Sequence, residues 1–306
     1  IESEARTAIQ LSGGQGGRIE SGEYIPGSDF APSSSQLNFL GEPVSYWFYV
    51  SGNGLFKENV PTKEEMESEI AEFIREGIVF CDFETFFGEG YQIQKGEPEV
   101  SVQVNEDKVI VDVDSSLSVS FGESSARRSS EHVELDSKLG KFYDLANEIY
   151  SKQKEEAFLE RYSLDVLYLY APVDGVEIQC GPKVWATNKV IDGLKDGLEA
   201  NIPQIKFGGN YYELRNESNK YFVLDKNVDE AINFIYSKNW PTKIEIQGEG
   251  VDDEIMIAET IGTQEGLGAM GFCYAPYHFV YDVSFPVMVQ IYNTEEFFQF
   301  PVIVVI

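Results

Sequence analysis

The sequence predicts an α+β fold, in which a mixed, mainly antiparallel β-sheet packs against three or four helices and an N-terminal helical arm leads into the body. Three observations carry this. Valines alternate with polar residues on both sides of Asn105–Lys108. Apolar residues recur at helical spacing after Pro61-Thr62. From His278 to Ile306 nearly every residue is β-branched, aromatic or alternating. With 306 residues, 42% of them hydrophobic and 13% aromatic, the chain has material for one large core or two modest ones. Such aromatic content excludes a chain that stays solvated throughout.

Residues 1–41 read as the arm. Ile1–Leu11 forms a short amphipathic helix with Ile1, Ala5, Ala8 and Ile9 on one side. The glycines at 13, 14, 16 and 17 should stop it, and the Gly-, Pro- and Ser-rich stretch beyond should be extended linker. No Lys-Ser/Thr follows these glycines and no strand precedes them, so they are not a phosphate loop. Residues 42–306 form the body, with a division into two lobes near residue 172.

Val44–Val50 is a strand, broken by Ser51-Gly-Asn-Gly54. Thr62 and Glu65 have capping-box spacing, and Met66, Ile70, Phe73, Ile74 and Ile78 place a helix over about 63–79. Val100, Val102 and Val104, then Val109, Val111 and Val113, define a hairpin. Residues 123–130, with the adjacent pair Arg127-Arg128, read as a flexible loop. Leu135, Leu139, Phe142, Ala146 and Ile149 step by four, three, four and three, so a long helix is predicted over 131–161. Val176–Cys180 alternates as a strand, and Thr187–Leu198 is a helix capped by Thr187 or Asn188. A hairpin is predicted from Tyr211–Leu214 and Tyr221–Leu224, then a helix over Asp225–Lys238, strands over Lys243–Gln247 and Glu254–Ala258, and a loop over 259–271. Asn293–Glu296 turns between the two long terminal strands.

Charge bears on function directly. The 23 basic and 52 acidic side chains leave −29, scattered along the chain. Unaided nucleic-acid binding is excluded on this ground, because phosphate neutralisation needs a basic face. The same field repels anionic lipid headgroups. Cys81, Cys180 and Cys273 are odd in number and none has C-x-x-C spacing, so neither a zinc site nor a redox motif is expected. Either all three are buried small hydrophobes, or one extracellular bridge forms. Cys81–Cys180 is the preferred pair, since both lie next to apolar runs.

Catalytic signatures are sparse. His132 and His278 are the two histidines, and there is no G-x-S-x-G or H-E-x-x-H. His278, between Tyr277 and Phe279 in a strand, reads as structural. Acid pairs such as Asp252-Asp253 and Glu155-Glu156 have the residue types of a glycosidase, but pairs occur by chance among so many acids. Asp225, Asn227 and Asp229 space their oxygens like the start of a calcium loop. Glu230 replaces that loop's glycine and Tyr236 its final ligand, so helix capping explains them better. No catalytic residue, cofactor or metal is assigned.

Three stretches resemble a known group: Ile1-Glu-Ser with Ala8-Ile9-Gln-Leu-Ser-Gly-Gly-Gln-Gly-Gly17; Tyr170-Ala-Pro-Val-Asp-Gly-Val-Glu-Ile-Gln-Cys180-Gly-Pro-Lys-Val-Trp185; and Tyr281–Ile291 with Phe298–Val302. They are similar to uncharacterised archaeal membrane-anchored cell-surface proteins of the kind found in small-genome symbiotic archaea. The resemblance spans nearly the whole chain. It implies an extracellular ectodomain, a membrane helix upstream of Ile1 and more chain beyond Ile306, and it supplies no catalytic residues. Ser3-Glu4 stands where that group often has a cysteine. The expected function is structural or adhesive, through contacts with other surface proteins or with a second copy, the arm or the C-terminal strands adding to a neighbour's sheet. The alternatives are an extracellular hydrolase acting on glycan or peptide, and a solute- or calcium-binding module.

Overall fold

The computed structural model describes residues 1–20, 22–29, 31–80, 83–205, 228–262 and 273–306. Its elements in chain order are α1 (Glu2–Gly14), β1 (Gln36–Phe39), β2 (Glu42–Ser45), β3 (Phe48–Val50), β4 (Phe56–Glu58), α2 (Lys63–Val79), α3 (Glu84–Gly88), β5 (Gln92–Lys95), β6 (Glu99–Val104), β7 (Lys108–Phe121), β8 (Ser124–Asp136), α4 (Leu139–Glu156), α5 (Phe158–Tyr170), β9 (Asp174–Glu177), β10 (Lys183–Ala186), α6 (Thr187–Asn201), β11 (Ala231–Ile235), β12 (Lys243–Gln247), β13 (Ile255–Ala258), β14 (Ala275–His278), β15 (Val280–Tyr292) and β16 (Phe297–Val305). The fold is α+β, with several antiparallel and mixed sheets.

The main sheet has six strands, built on the β15–β16 hairpin. One edge of β15 pairs with β12 and then β11, while β16 continues through β3 to β4. Pro286 falls between the last residue paired to β12, Ser284, and the first paired to β11, Met288. Its missing N–H therefore costs no bond to either strand. The second sheet sets β8 on one side of β7 and β6 with β5 on the other.

Helices α1 and α4 touch both sheets, and α2 packs on α1 and β6. One continuous core joins them. It takes Ala5, Ala8 and Ile9 from α1, Met66, Ile70 and Ile74 from α2, and the valines of β6 and β7. Phe142, Ala146 and Ile149 of α4 and the odd-numbered residues Val283–Ile291 of β15 complete it. The opposite face of the main sheet is partly covered by the β1–β2 hairpin. There Leu37, Val44, Tyr46, Tyr49, Met288 and Ile303 make a smaller core.

The helix over 63–79 forms as expected. Thr62 Oγ1 accepts the Glu65 N–H at 3.1 Å, and Glu65 Oε2 accepts the Thr62 N–H at 3.0 Å. The valine hairpin also forms, with Val102 opposite Val111 and Val104 opposite Val109. The predicted helix over 131–161 forms only from Leu139 onward. Its first part is strand: β8 runs to Asp136, and Arg127-Arg128 lie within it instead of in a loop. Residues 124–136 read as loop and helix because their polar alternation is that of an exposed edge strand, where β7 supplies the pairing. The helix begins at Leu139 and breaks at Ala157, whose φ of 47° sets α5 off at an angle. Ala231–Ile235 is likewise a strand where a helix was predicted, because it gains a full ladder against β15. The predicted hairpin at 211–224 lies outside the described residues. Helix α6 starts after Ala186 with no side-chain cap, so neither Thr187 nor Asn188 caps it as expected.

The first residues are not a free arm. Helix α1 runs through Gly13 and Gly14, and Ala5 and Ala8 are fully buried. Gly13 permits this: a Cβ there would lie 2.5 Å from the Phe297 carbonyl oxygen of β16. In an exposed helix, Gly→Ala gains about 1 kcal/mol. Here Gly13→Ala is expected to lose about 1–3 kcal/mol, because the helix must move off the sheet. A rise in denaturation midpoint for this variant would contradict the packing. In the strand order β16 lies between β15 and β3, which it meets at a single register position, Val302 opposite Phe48.

Candidate functional site: an amide-floored cleft

A cleft of about 870 Å³ opens on the outer face of the main sheet, beside the β1–β2 hairpin. Ligand sites typically measure ~300–1,000 Å³. Its walls come from α1, the tip of the hairpin, the start of α4 and the turn between β15 and β16.

The strand registers build its floor. Asn233 of β11 lies opposite Gln290 of β15, which lies opposite Gln299 of β16. Three amides thus stand in one row across three strands. Gln290 Nε2 donates to Gln299 Oε1 at 2.7 Å, and Gln299 Nε2 donates to the Gly14 carbonyl of α1 at 2.8 Å. Asn233 Nδ2 donates to the Tyr292 hydroxyl at 3.2 Å. Gln299 is 4% exposed, a buried polar side chain within a strand otherwise apolar. That position is costly unless its hydrogen bonds are met, as they are here.

Around the amides stand Phe39, Phe142, Tyr292 and Phe297. Leu40 sits at the rim in a two-residue turn with Gly41, at φ 55° and 98° respectively. A left-handed, 90% exposed leucine costs about 1 kcal/mol of backbone strain. Carboxylates come from Glu42, Glu295 and Glu296. Glu296 Oε2 accepts the Lys138 N–H at 2.5 Å, at the start of α4. Asn293 Oδ1 accepts the N–H groups of Glu295 and Glu296, each at 2.8 Å, which fixes the turn. Among the described residues no Lys, Arg or His lines the cleft.

The residues singled out from the sequence lie elsewhere. His132 is on β8 and His278 on β14, in different sheets. His132 Nδ1 lies 2.6 Å from Asp112 Oδ1 and Nε2 lies 3.4 Å from Glu134 Oε1. Hydrogen bonds to these two carboxylates hold its pKa above the usual 6.5. Folding therefore favours the protonated ring, and this clamp on β7–β8 is fully present below pH 6.5 and lost as pH rises through the raised value. An NMR titration should place the His132 midpoint above 6.5, and Asp112→Asn should bring it down. An unshifted wild-type midpoint would refute the clamp. His278 Nδ1 is 3.7 Å from Asp174 in an exposed position. Asp252 spends its carboxylate on the N–H groups of Glu254 and Ile255, and Glu156 pairs with Lys152. None of these acids or histidines lines the cleft.

Cys180 is bonded to Cys273, not to Cys81, with Cα atoms 4.8 Å apart. This corrects the expected pairing; Cys81 lies outside the described residues. Adjacency to apolar runs cannot distinguish partners 93 residues apart, whereas the pairing of β9 with β14 brings these two segments together. Of the calcium-loop candidates, Asp225 and Asn227 lie outside the described residues, and Asp229 is exposed in coil before β11. No cluster of three metal-binding side chains occurs among the described residues.

A second surface feature lies at the far end of α2. Phe80 is 82% exposed, and Phe86, Phe87 and Phe121 are each about half exposed. Phe83, Phe86, Tyr91 and Phe121 form a chain of ring contacts with centroids 6.5, 6.1 and 4.8 Å apart. It joins α3 and β5 to the tip of the β7–β8 hairpin.

The amide row was readable in principle. Gln290 and Gln299 are lone amides in two apolar runs, each three residues from the Asn293–Glu296 turn, so a four-residue loop makes them partners. No protein-family model, curated protein or solved structure matches the chain.

Proposed function

We propose that this chain is an extracellular structural or adhesive domain of an archaeal cell-surface protein, anchored through a segment upstream of Ile1 and acting by protein–protein contact. The aromatic end formed by Phe80, Phe86, Phe87 and Phe121 carries this reading. Phe86 and Phe121, linked through Tyr91 by ring contacts yet about half open to solvent, and the likewise exposed Phe80 and Phe87 suit a partner that supplies the missing apolar cover. The disulfide accords with an oxidising compartment. The three stretches similar to archaeal surface proteins supply the setting. No described helix is long and apolar enough to cross a membrane, so the anchor belongs to the proposal.

The test is cross-linking on intact cells of the encoding organism, with the purified chain carrying a photo-reactive label. A discrete cross-linked protein product is expected for the wild type, and Phe86→Ser with Phe121→Ser is expected to abolish it while the melting temperature holds. Equal cross-linking by wild type and double variant would overturn the assignment of contact to this end.

A further inference from the structure

We propose that the cleft between α1, the β1–β2 hairpin and the β15–β16 turn binds an uncharged, hydroxyl-rich ligand, a neutral oligosaccharide segment. This goes beyond the contact role of the aromatic end and uses none of its residues.

Three features define the ligand. First, the floor is polar where a sheet face would normally be apolar. Gln290 donates one N–H to Gln299 within the row, and Asn233 donates one to the Tyr292 hydroxyl beside it. A carbonyl oxygen and a second N–H of each have no partner among the described residues. A primary amide thus offers one donor and one acceptor side by side, the pattern that adjacent hydroxyls of a sugar satisfy. Second, Phe297, Phe39 and Tyr292 supply rings beside that floor, and Phe297 is 46% exposed. A pyranose presents apolar C–H faces and a polar hydroxyl edge, which matches ring beside amide. Third, the charge is one-sided. Glu42, Glu295 and Glu296 line the cleft with no described cation, in a chain of net charge −29. Phosphates, sulfates and uronates would meet repulsion from these carboxylates, and the Lys138 ammonium near Glu296 is already paired with Asp107. Carboxylates accept hydrogen bonds from hydroxyls at no such cost.

The exposed Leu40 fits the same site. A strained apolar tip at the rim persists because the hairpin holds it there, and it adds apolar surface to the cleft lining. An extended peptide bearing Lys is the competing occupant, drawn by the carboxylates, but those of Glu42 and Glu295 are exposed at the rim while the floor is amide.

Calorimetric titration of the intact chain with neutral hexasaccharides (maltohexaose, cellohexaose, mannohexaose, fully N-acetylated chitohexaose) tests the proposal. Hexagalacturonate and a Lys-containing hexapeptide are the comparison arms. At least one neutral hexasaccharide should bind. Gln290→Leu, which keeps the volume and removes the amide, and Phe297→Ala should each weaken that binding about tenfold or more. Phe86→Ser with Phe121→Ser should leave it unchanged, which separates this outcome from failure of the contact role. Unchanged melting temperatures would confirm that both cleft variants fold; should one not, the other decides. Failure of every neutral sugar to bind, binding indifferent to both cleft variants, or binding of the uronate or the peptide alone would overturn the proposal.

Discussion

Trp47→Ala is expected to destabilise the protein by about 3–5 kcal/mol, the range for emptying the site of a large buried aromatic. Trp47 is fully buried. Its indole stacks on Phe300 at 4.0 Å and meets Tyr150, Phe298 and Tyr143 edge-on at 5.7, 6.0 and 6.3 Å. Its Nε1–H donates to the Gly16 carbonyl at 2.8 Å, which ties the chain leaving α1 to the main sheet. The residue thus joins β3, β16, α4 and the N-terminal segment at one point. Trp47→Phe keeps a ring but loses the hydrogen bond and leaves Gly16 O without that donor, so a loss of about 1–2 kcal/mol is expected. Urea denaturation measures both. A loss below about 1 kcal/mol for the alanine variant would mean that the site collapses without cost, and this packing would be wrong.

Breaking Cys180–Cys273 is expected to cost about 4 kcal/mol. The bridge spans 93 residues, and closing a loop of this length removes much of the unfolded chain's freedom in the chain-entropy account. The measurement is the denaturation midpoint with and without dithiothreitol. Wild type should fall under reduction, and Cys180→Ser should start low and not respond. Cys81→Ser is the discriminating variant. It should keep the full response to reductant, whereas a Cys81–Cys180 bridge would make it unresponsive. Loss of the response in Cys81→Ser would therefore refute the observed pairing.

Local signals were legible where local physics suffices. Thr62 and Glu65 cap α2 as their spacing predicts, because a capping box involves one turn of chain. Alternating valines found their face, because a strand's period is two whatever its partner. Errors arose where a partner decides. Leu135 and Leu139 continue one helical spacing, yet Leu135 is in β8 and Leu139 in α4, since the ladder to β7 outweighs the helical pattern up to Asp136. Ala231–Ile235 became strand for the same reason against β15. The glycines at 13, 14, 16 and 17 read as a stop signal. The helix does end at Gly14, ahead of the left-handed Gly16 and Gly17, but Gly13 serves also as a close-approach point, a role that exists only once β16 lies against the helix.

The candidate site divides in the same way. The Gln290–Gln299 pair follows from turn length alone, but Asn233 joins the row, and Gly14 closes it, only after β11 and α1 have docked. Composition by itself determined that the chain is strongly acidic and rich in core material, and residue periodicity that it mixes helix and strand. Tertiary structure alone decided the disulfide partner, the burial of the N-terminal helix and the convergence of amides and rings in one cleft. Composition and periodicity act over a few residues, whereas each of these depends on contacts between segments far apart in the chain, and a linear pattern carries no information about which distant segments pack together.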